Sequence, residues 1–268
     1  MTTISLAISP CPNDTFIFDP MINRKIDLEG MDFEVQFHDV ETLNNMALKD
    51  GPDMVKVSYH AYLFLHEGYA LLDSGSAMGI GNGPLLIARK PYTLEDIPRL
   101  TVAIPGKYTT AHLLLQVAAP PPKQKRFMLF SEIENAIITG VTDAGVIIHE
   151  NRFTYAQKGL LKIADLGEYW ETHTGSPIPL GGILAKKNLG PDLISALNRI
   201  MHRSVAYAIK HPLSAMPFVR KYAQEMDEKV MQQHIQLYVN DFTLCQGPRG
   251  EKAVACLKRI AKERGIIP

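Results

Sequence analysis

The residues best suited to chemistry in this 268-residue chain sit at the ends of short apolar runs. Asp143-Ala-Gly-Val-Ile-Ile-His149-Glu150 reads as a buried, β-branched strand that stops on a histidine, with Asn151 opening a helix. Imidazole titrates closest to neutrality of all side chains, and ligands of open α/β sheets bind beyond the carboxyl ends of strands. His149 is therefore placed to move a proton, although a histidine that merely caps its strand against a carbonyl has the same local sequence. Lys56 and Ser58 are two apart on the strand Asp53-Met-Val-Lys-Val-Ser58 and point to one side of it. Flanked by Val55 and Val57, Lys56 suits a cleft better than a solvated face. Thr109 and Thr110 open a helix after Pro105-Gly106 and offer hydroxyl and N–H groups to a carboxylate, whereas plain capping would need only one of them. Asn82 and Gly83 belong to the glycine-rich run from Ser74 to Pro84, which lacks the G-K-[ST] ending of a phosphate loop. That run reads as backbone that comes close to a ligand or forms a cleft wall.

The elements that must position these residues follow from apolar periodicity. A strand over Ile4 to Ser9 leads into Ser9-Pro-Cys-Pro-Asn-Asp-Thr-Phe, with Asn13 or Asp14 expected to cap a helix over Thr15 to Asn23. Such a loop is either an anion site at a helix N-terminus or a simple turn. Strands over Phe33–His38 and Asp53–Ser58 alternate with helices over Val40–Lys49 and Ala61–His66, which implies a parallel sheet with right-handed crossovers. A second series has strands over Thr101–Gly106, Phe127–Phe130 and Asp143–His149, a helix over Thr109–Val117, and a capping box at Ser131-Glu-Ile-Glu134. A further strand covers Leu161–Leu166. Glu168-Tyr-Trp-Glu-Thr-His-Thr-Gly175 reads as a packed surface loop, with a lid as the alternative. Pro84–Arg89 and Pro179–Ala185 are strand-like crossings between the two series, and helices fill the chain from Gly190.

The expected architecture is α/β, with two lobes and a ligand cleft between them. Residues 1–88 with 184–268, including the C-terminal helices, form lobe one, and residues 89–183 form lobe two. Lys56 and Ser58 then face Thr109, Thr110 and His149 across the cleft, and closure would exclude water around a small anionic ligand.

Composition narrows the function classes. Hydrophobic residues make up 46% and charged residues 21%, a globular balance, and 28 Lys plus Arg offset 28 Asp plus Glu. With no basic block, nucleic acid and anionic membranes are not the expected partners. Cys11, Cys245 and Cys256 have neither disulfide-framework nor zinc spacing. The N-terminus reads as a first strand, not a signal peptide, and no apolar run approaches the roughly 20 residues of a membrane span. The expectation is a cytoplasmic, reduced protein. His202, His211 and His234 lie on the C-terminal helices without metal-ligand spacing and read as surface or packing residues.

Five motifs in order, Ser9-Pro-Cys-Pro-Asn-Asp-Thr-Phe, Lys56-Val-Ser-Tyr59, Gly81-Asn-Gly-Pro84, Thr109-Thr110 and Ile148-His149-Glu150, carry a resemblance to the 1,4-dihydroxy-6-naphthoate synthase family. That family belongs to the futalosine route to menaquinone and to the cytoplasmic, enzymatic branch of the periplasmic-binding-protein-like (type II) fold. The resemblance implies a lyase acting on cyclic dehypoxanthine futalosine, without metal or redox cofactor. It also implies His149 as catalytic base and Lys56, Ser58, Thr109 and Thr110 as substrate contacts, with Asn82 and Gly83 as further candidates. The alternatives are chorismate dehydratase, which shares the fold, and a non-catalytic small-molecule binding protein.

Overall fold

The computed structural model describes residues 2–223 and 227–268. The first half of the chain alternates strand and helix as β1 (Thr2–Ile8), α1 (Pro12–Ile22), β2 (Met31–Phe37), α2 (Val40–Leu48), β3 (Met54–Ser58) and α3 (Tyr59–Leu65). Short strands β4 (Tyr69–Leu71) and β5 (Ala77–Gly79) precede β6 (Leu85–Ala88). The alternation resumes with β7 (Thr101–Ile104), α4 (Thr110–Ala118), β8 (Gln124–Phe127), α5 (Ile133–Ile138), β9 (Ala144–Ile147) and α6 (Asn151–Thr154). Then come β10 (Leu161–Asp165), α7 (Leu166–Thr174) and β11 (Ile178–Lys186). The chain ends in α8 (Pro191–Lys210), α9 (Pro212–Tyr222), α10 (Glu228–Tyr238), α11 (Asp241–Leu244) and α12 (Gly247–Glu263).

Two sheets result, one ordered β2-β1-β3-β11-β4 with β5 paired to β11, the other ordered β10-β6-β9-β7-β8. In each, the first strand of a series lies between its second and third, all parallel: β1 between β2 and β3, and β7 between β8 and β9. The crossing strands are exchanged. β6 leaves the first series and pairs antiparallel with β9, while β11 leaves the second and pairs antiparallel with β3. Sheet membership therefore differs from the expected 1–88, 89–183 and 184–268 division by the length of these strands. Leu85–Ala88 lies in the second sheet and Ile178–Lys186 in the first, because both are apolar runs whose ladder partners belong to the other series.

Each sheet is covered on both faces, as apolar strands require. Ile4, Leu6 and Ile8 of β1 pack with Phe16 and Met21 of α1 and Ile200 and Val205 of α8. On the opposite face Val55 and Val57 meet Leu43 and Ala61. Val102 and Ile104 pack with Leu113, Trp170 and Leu257, and this cluster also takes in Tyr59, Leu63 and Met78, so one core runs through both lobes. Each such side chain, fully buried, contributes about 1.5–3 kcal/mol.

Several local expectations are corrected. Helix α1 begins at Pro12 with Cys11 as an N-cap whose side chain makes no capping bond, so neither Asn13 nor Asp14 caps it. Proline at the first helical position presets the backbone angle and lacks an N–H that would have no partner within the helix. The strand expected at 127–130 is Gln124–Phe127, and Phe130–Glu132 is a 3-10 turn. Ser131-Glu-Ile-Glu134 forms no capping box; Glu134 is buried instead, accepting from Asn151 and from Lys158. The segment around Trp170 is a helix, not a loop. Asp165 caps it through the Gly167 and Glu168 N–H groups, and Trp170 is wholly buried.

Candidate active site

Five strand-to-helix junctions meet around one partly enclosed cavity of roughly 670 Å³, part of it open to solvent. They are β1 to α1, β2 to α2, β3 to α3, β7 to α4 and β9 to α6, the last carrying His149. The wall includes Asn13, Asp14, Lys56, Ser58, Asn82, Thr109, Thr110, Ala111, His149, His234 and Tyr238. Of the residues singled out from sequence, all but Gly83 reach it. Gly83 packs on α7, where an added Cβ would lie 2.2 Å from the Gly167 Cα. Its carbonyl accepts from Arg152 Nη1 at 2.6 Å.

Lys56 does not present a bare charge. Its ammonium donates to Asp14 Oδ1 at 2.8 Å, and both side chains are buried. Asp14 also accepts from Ser9 Oγ at 2.7 Å and from Asn13 Nδ2 at 2.9 Å. A buried ion pair needs such additional bonds to offset its desolvation. Because the Asn13 amide nitrogen faces Asp14, its oxygen is left to accept, and His234 Nε2 donates to it at 2.8 Å. His234 Nδ1 lies 3.9 Å from Glu150 Oε2. A hydrogen-bonded line thus runs from Lys56 through Asp14 and Asn13 to His234, whose other ring nitrogen faces Glu150 from the second sheet.

The threonine hydroxyls are committed to structure. Thr109 Oγ1 donates to the Gly106 carbonyl at 2.9 Å and accepts from the His112 N–H at 3.3 Å, capping α4. Thr110 Oγ1 donates to the Leu180 carbonyl at 2.8 Å and accepts from the His60 N–H at 3.3 Å. What remains for a ligand is the start of α4, where the Thr110 and Ala111 N–H groups precede the first intrahelical bond and the helix dipole favours an anion. Across the cavity Asn44 orients Ser58, donating from Nδ2 to its Oγ at 3.2 Å and accepting its N–H at 2.8 Å. The Ser58 hydroxyl proton is uncommitted among the described residues. Glu41 of α2 accepts the Lys107 N–H at 2.7 Å, fastening the lobes beside this corner.

His149 adopts a left-handed backbone, φ 59°, that a histidine rarely takes. Its Nδ1 lies 3.5 Å from Cys11 Sγ, on the opposite lobe. The Phe130 ring meets it edgewise at 4.8 Å and the His234 ring stacks at 6.0 Å. Its Nε2 is shielded and has no hydrogen-bond partner. Burial pushes its pKa down to about 4, with Lys56 adding to the effect and Asp14 opposing it. The ring is therefore neutral at physiological pH, with one nitrogen held in the cavity wall and uncommitted. Burial likewise raises the Tyr238 phenol to about 12 and lowers His234 well below the ordinary histidine value, with His149 adding to the effect.

Asp14, Asn13, His234 and Tyr238 were not anticipated as site residues. A lysine between valines requires a carboxylate nearby, which is the signal for Asp14. His234 and Tyr238 are four apart on the apolar side of α10, beside Met231 and Ile235, a pattern that ordinary packing also produces. His202 is exposed, as expected for a surface residue. Among the described residues no group of three or more His, Cys, Asp or Glu side chains is arranged to hold a metal ion, and no helix is long and apolar enough to cross a membrane.

The family model described as menaquinone biosynthesis matches residues 4–263. The chain is 44% identical over 268 residues to a 1,4-dihydroxy-6-naphthoate synthase of Thermus thermophilus, covering 99% of this chain and 96% of that one. A protein of the same description from Streptomyces coelicolor is 40% identical over 271 residues, covering 99% and 95%. A crystal structure from Archaeoglobus fulgidus superposes with a TM-score of 0.93 at 32% identity, covering 99% of this chain and 98% of that chain. A Candida albicans gene product described as having the generic periplasmic binding protein fold matches with a TM-score of 0.74 at 12% identity, covering 100% and 91%. That last likeness speaks for the fold, which is the two-lobed, periplasmic-binding-protein-like one. The family model and the relatives, matched over nearly their whole length, add lineage to architecture: this chain belongs to the menaquinone biosynthesis family.

Proposed function

We propose that this protein is a cytoplasmic carbon–carbon lyase that converts cyclic dehypoxanthine futalosine to 1,4-dihydroxy-6-naphthoate, with His149 as general base. The curated relatives carry the name of that synthase. The observation that carries the residue-level reading is the His149 imidazole, neutral by burial and with an unpartnered Nε2 in the wall of the cavity. Nε2 takes a proton from the substrate, and the electrons left behind collapse to break a carbon–carbon bond. The sugar-derived fragment leaves and the ring becomes aromatic. The reading calls on no metal or redox cofactor. The substrate carboxylate is held by the first N–H groups of α4, at Thr110 and Ala111, and by the Ser58 hydroxyl. Thr109 supports that corner as the helix cap. Lys56 contributes by fixing Asp14, and with it the floor of the cavity.

The test is turnover of cyclic dehypoxanthine futalosine by the purified protein, with the product identified by mass and chorismate run in parallel. His149→Ala is expected to keep its fold and lose roughly 10²–10⁴ in kcat, the range of general acid–base catalysis. Near wild-type turnover by that variant would remove His149 as base. Product from chorismate alone would make the protein a dehydratase, and ligand-induced stabilisation without product would make it a binding protein.

A further inference from the structure

Asn82 is 1% exposed, lines the cavity, and has no hydrogen-bond partner at either Oδ1 or Nδ2. Buried polar groups are nearly always satisfied, and leaving one unsatisfied is destabilising. The side chain is nonetheless firmly placed. A Cβ on Gly79 would lie 2.7 Å from Asn82 Nδ2, so the absent side chain at 79 makes room for the amide. Gly81, at φ 72°, turns the loop and donates its N–H to Glu171 Oε1 at 2.7 Å. On the other flank Gly83 is wedged against Gly167 and bonded to Arg152. The loop is clamped on both sides of a carboxamide that no protein group among the described residues satisfies.

We infer that Asn82 is a specificity-determining residue that reads a paired donor and acceptor on the ligand, such as a hydroxyl beside a carbonyl or a vicinal diol. A carboxylate does not fit this role, because it offers acceptors only and would leave Oδ1 facing negative charge. The start of α4 is the better seat for the carboxylate, so Asn82 is left to recognise the hydroxylated, sugar-derived part. This assignment rests on the lyase reading for the identity of the ligand, while the unsatisfied amide does not depend on it.

The experiment pairs thermal unfolding of the ligand-free protein with calorimetric binding and turnover of cyclic dehypoxanthine futalosine. Asn82→Leu removes both unsatisfied atoms at similar volume. It is expected to leave Tm unchanged or raise it by a few degrees, and to weaken binding roughly 10–100-fold, the cost of one or two lost hydrogen bonds. Asn82→Asp keeps an acceptor, loses the donor and is expected to weaken binding as well. A clear fall in Tm for Asn82→Leu, or binding within threefold of wild type, overturns the inference. Wild-type protein that binds the compound without converting it would overturn the lyase reading alone, since the binding comparison still decides Asn82. Absence of wild-type binding overturns both.

Discussion

At the level of single residues, what sets His149 apart is how little holds its ring. A carboxylate on Nδ1 would stabilise the imidazolium and raise the pKa, whereas a thiol is a weak partner in either direction. Cys11 Sγ at 3.5 Å therefore orients the ring while leaving burial to dominate its titration. Cys11→Ala is expected to lower kcat about tenfold with little change in KM or Tm, since it removes an orienting contact worth about 1.4 kcal/mol. An unchanged kcat would reduce the thiol to filler. The same environment fixes the pH dependence. In the free protein the ring protonates only near pH 4, so kcat/KM should show no acidic limb at the ordinary histidine value of 6.5. A bound carboxylate brings negative charge into the cavity and favours the imidazolium, which moves the limb of kcat above that of kcat/KM. Coincident limbs in the two profiles, or a kcat/KM limb near 6.5, would contradict this account.

At the level of elements, the site depends on strand ends that the sequence pattern locates well and on side-chain partnerships that it does not. The apolar runs of β1, β3, β7 and β9 announce themselves, and so do the junctions that put Ser58, Thr110 and His149 at their carboxyl ends. β8 is displaced because it is an edge strand, with Gln124 and Arg126 exposed and Lys125 half-buried, and so lacks an apolar signature. Gly83 shows the opposite failure: a glycine marks close approach of backbone, but not whether the approaching body is a ligand or, as here, another helix. Local sequence offers Asp14 as a cap because its true partner, Lys56, is 42 residues away. That pair ties α1 to β3 and gives a sharp test. Lys56→Met leaves Asp14 buried without its cation and is expected to destabilise the fold by about 3–5 kcal/mol. Asp14→Leu in the Lys56→Met background should recover most of that loss, measured by urea unfolding. A double variant no more stable than Lys56→Met would mean that the surrounding polar line, not the ion pair, carries the energy.

At the level of the whole molecule, four buried histidines lie where the lobes meet, and this makes folding sensitive to acid. His149 and His234 lie on one side of the cavity, and His60 and His112 lie where α3 of one lobe faces α4 of the other, with ring centroids 6.1 Å apart. Burial lowers His60, His112 and His149 to about 4, and it lowers His234 as well. The unfolded chain, with its histidines near 6.5, binds protons first as the pH falls. The stability owed to neutral burial is thus complete above about pH 6.5 and is lost progressively between there and about pH 4. Urea midpoints measured at intervals from pH 7.5 to pH 4.5, at constant ionic strength, should decline steadily below about 6.5. His60→Gln combined with His112→Gln removes two of the titrating rings and should flatten the decline while leaving the value at pH 7.5 within about 2 kcal/mol. A wild-type midpoint that holds level down to pH 5 would show that these rings are solvated and protonated in the folded state, and their burial between the lobes would have to be given up.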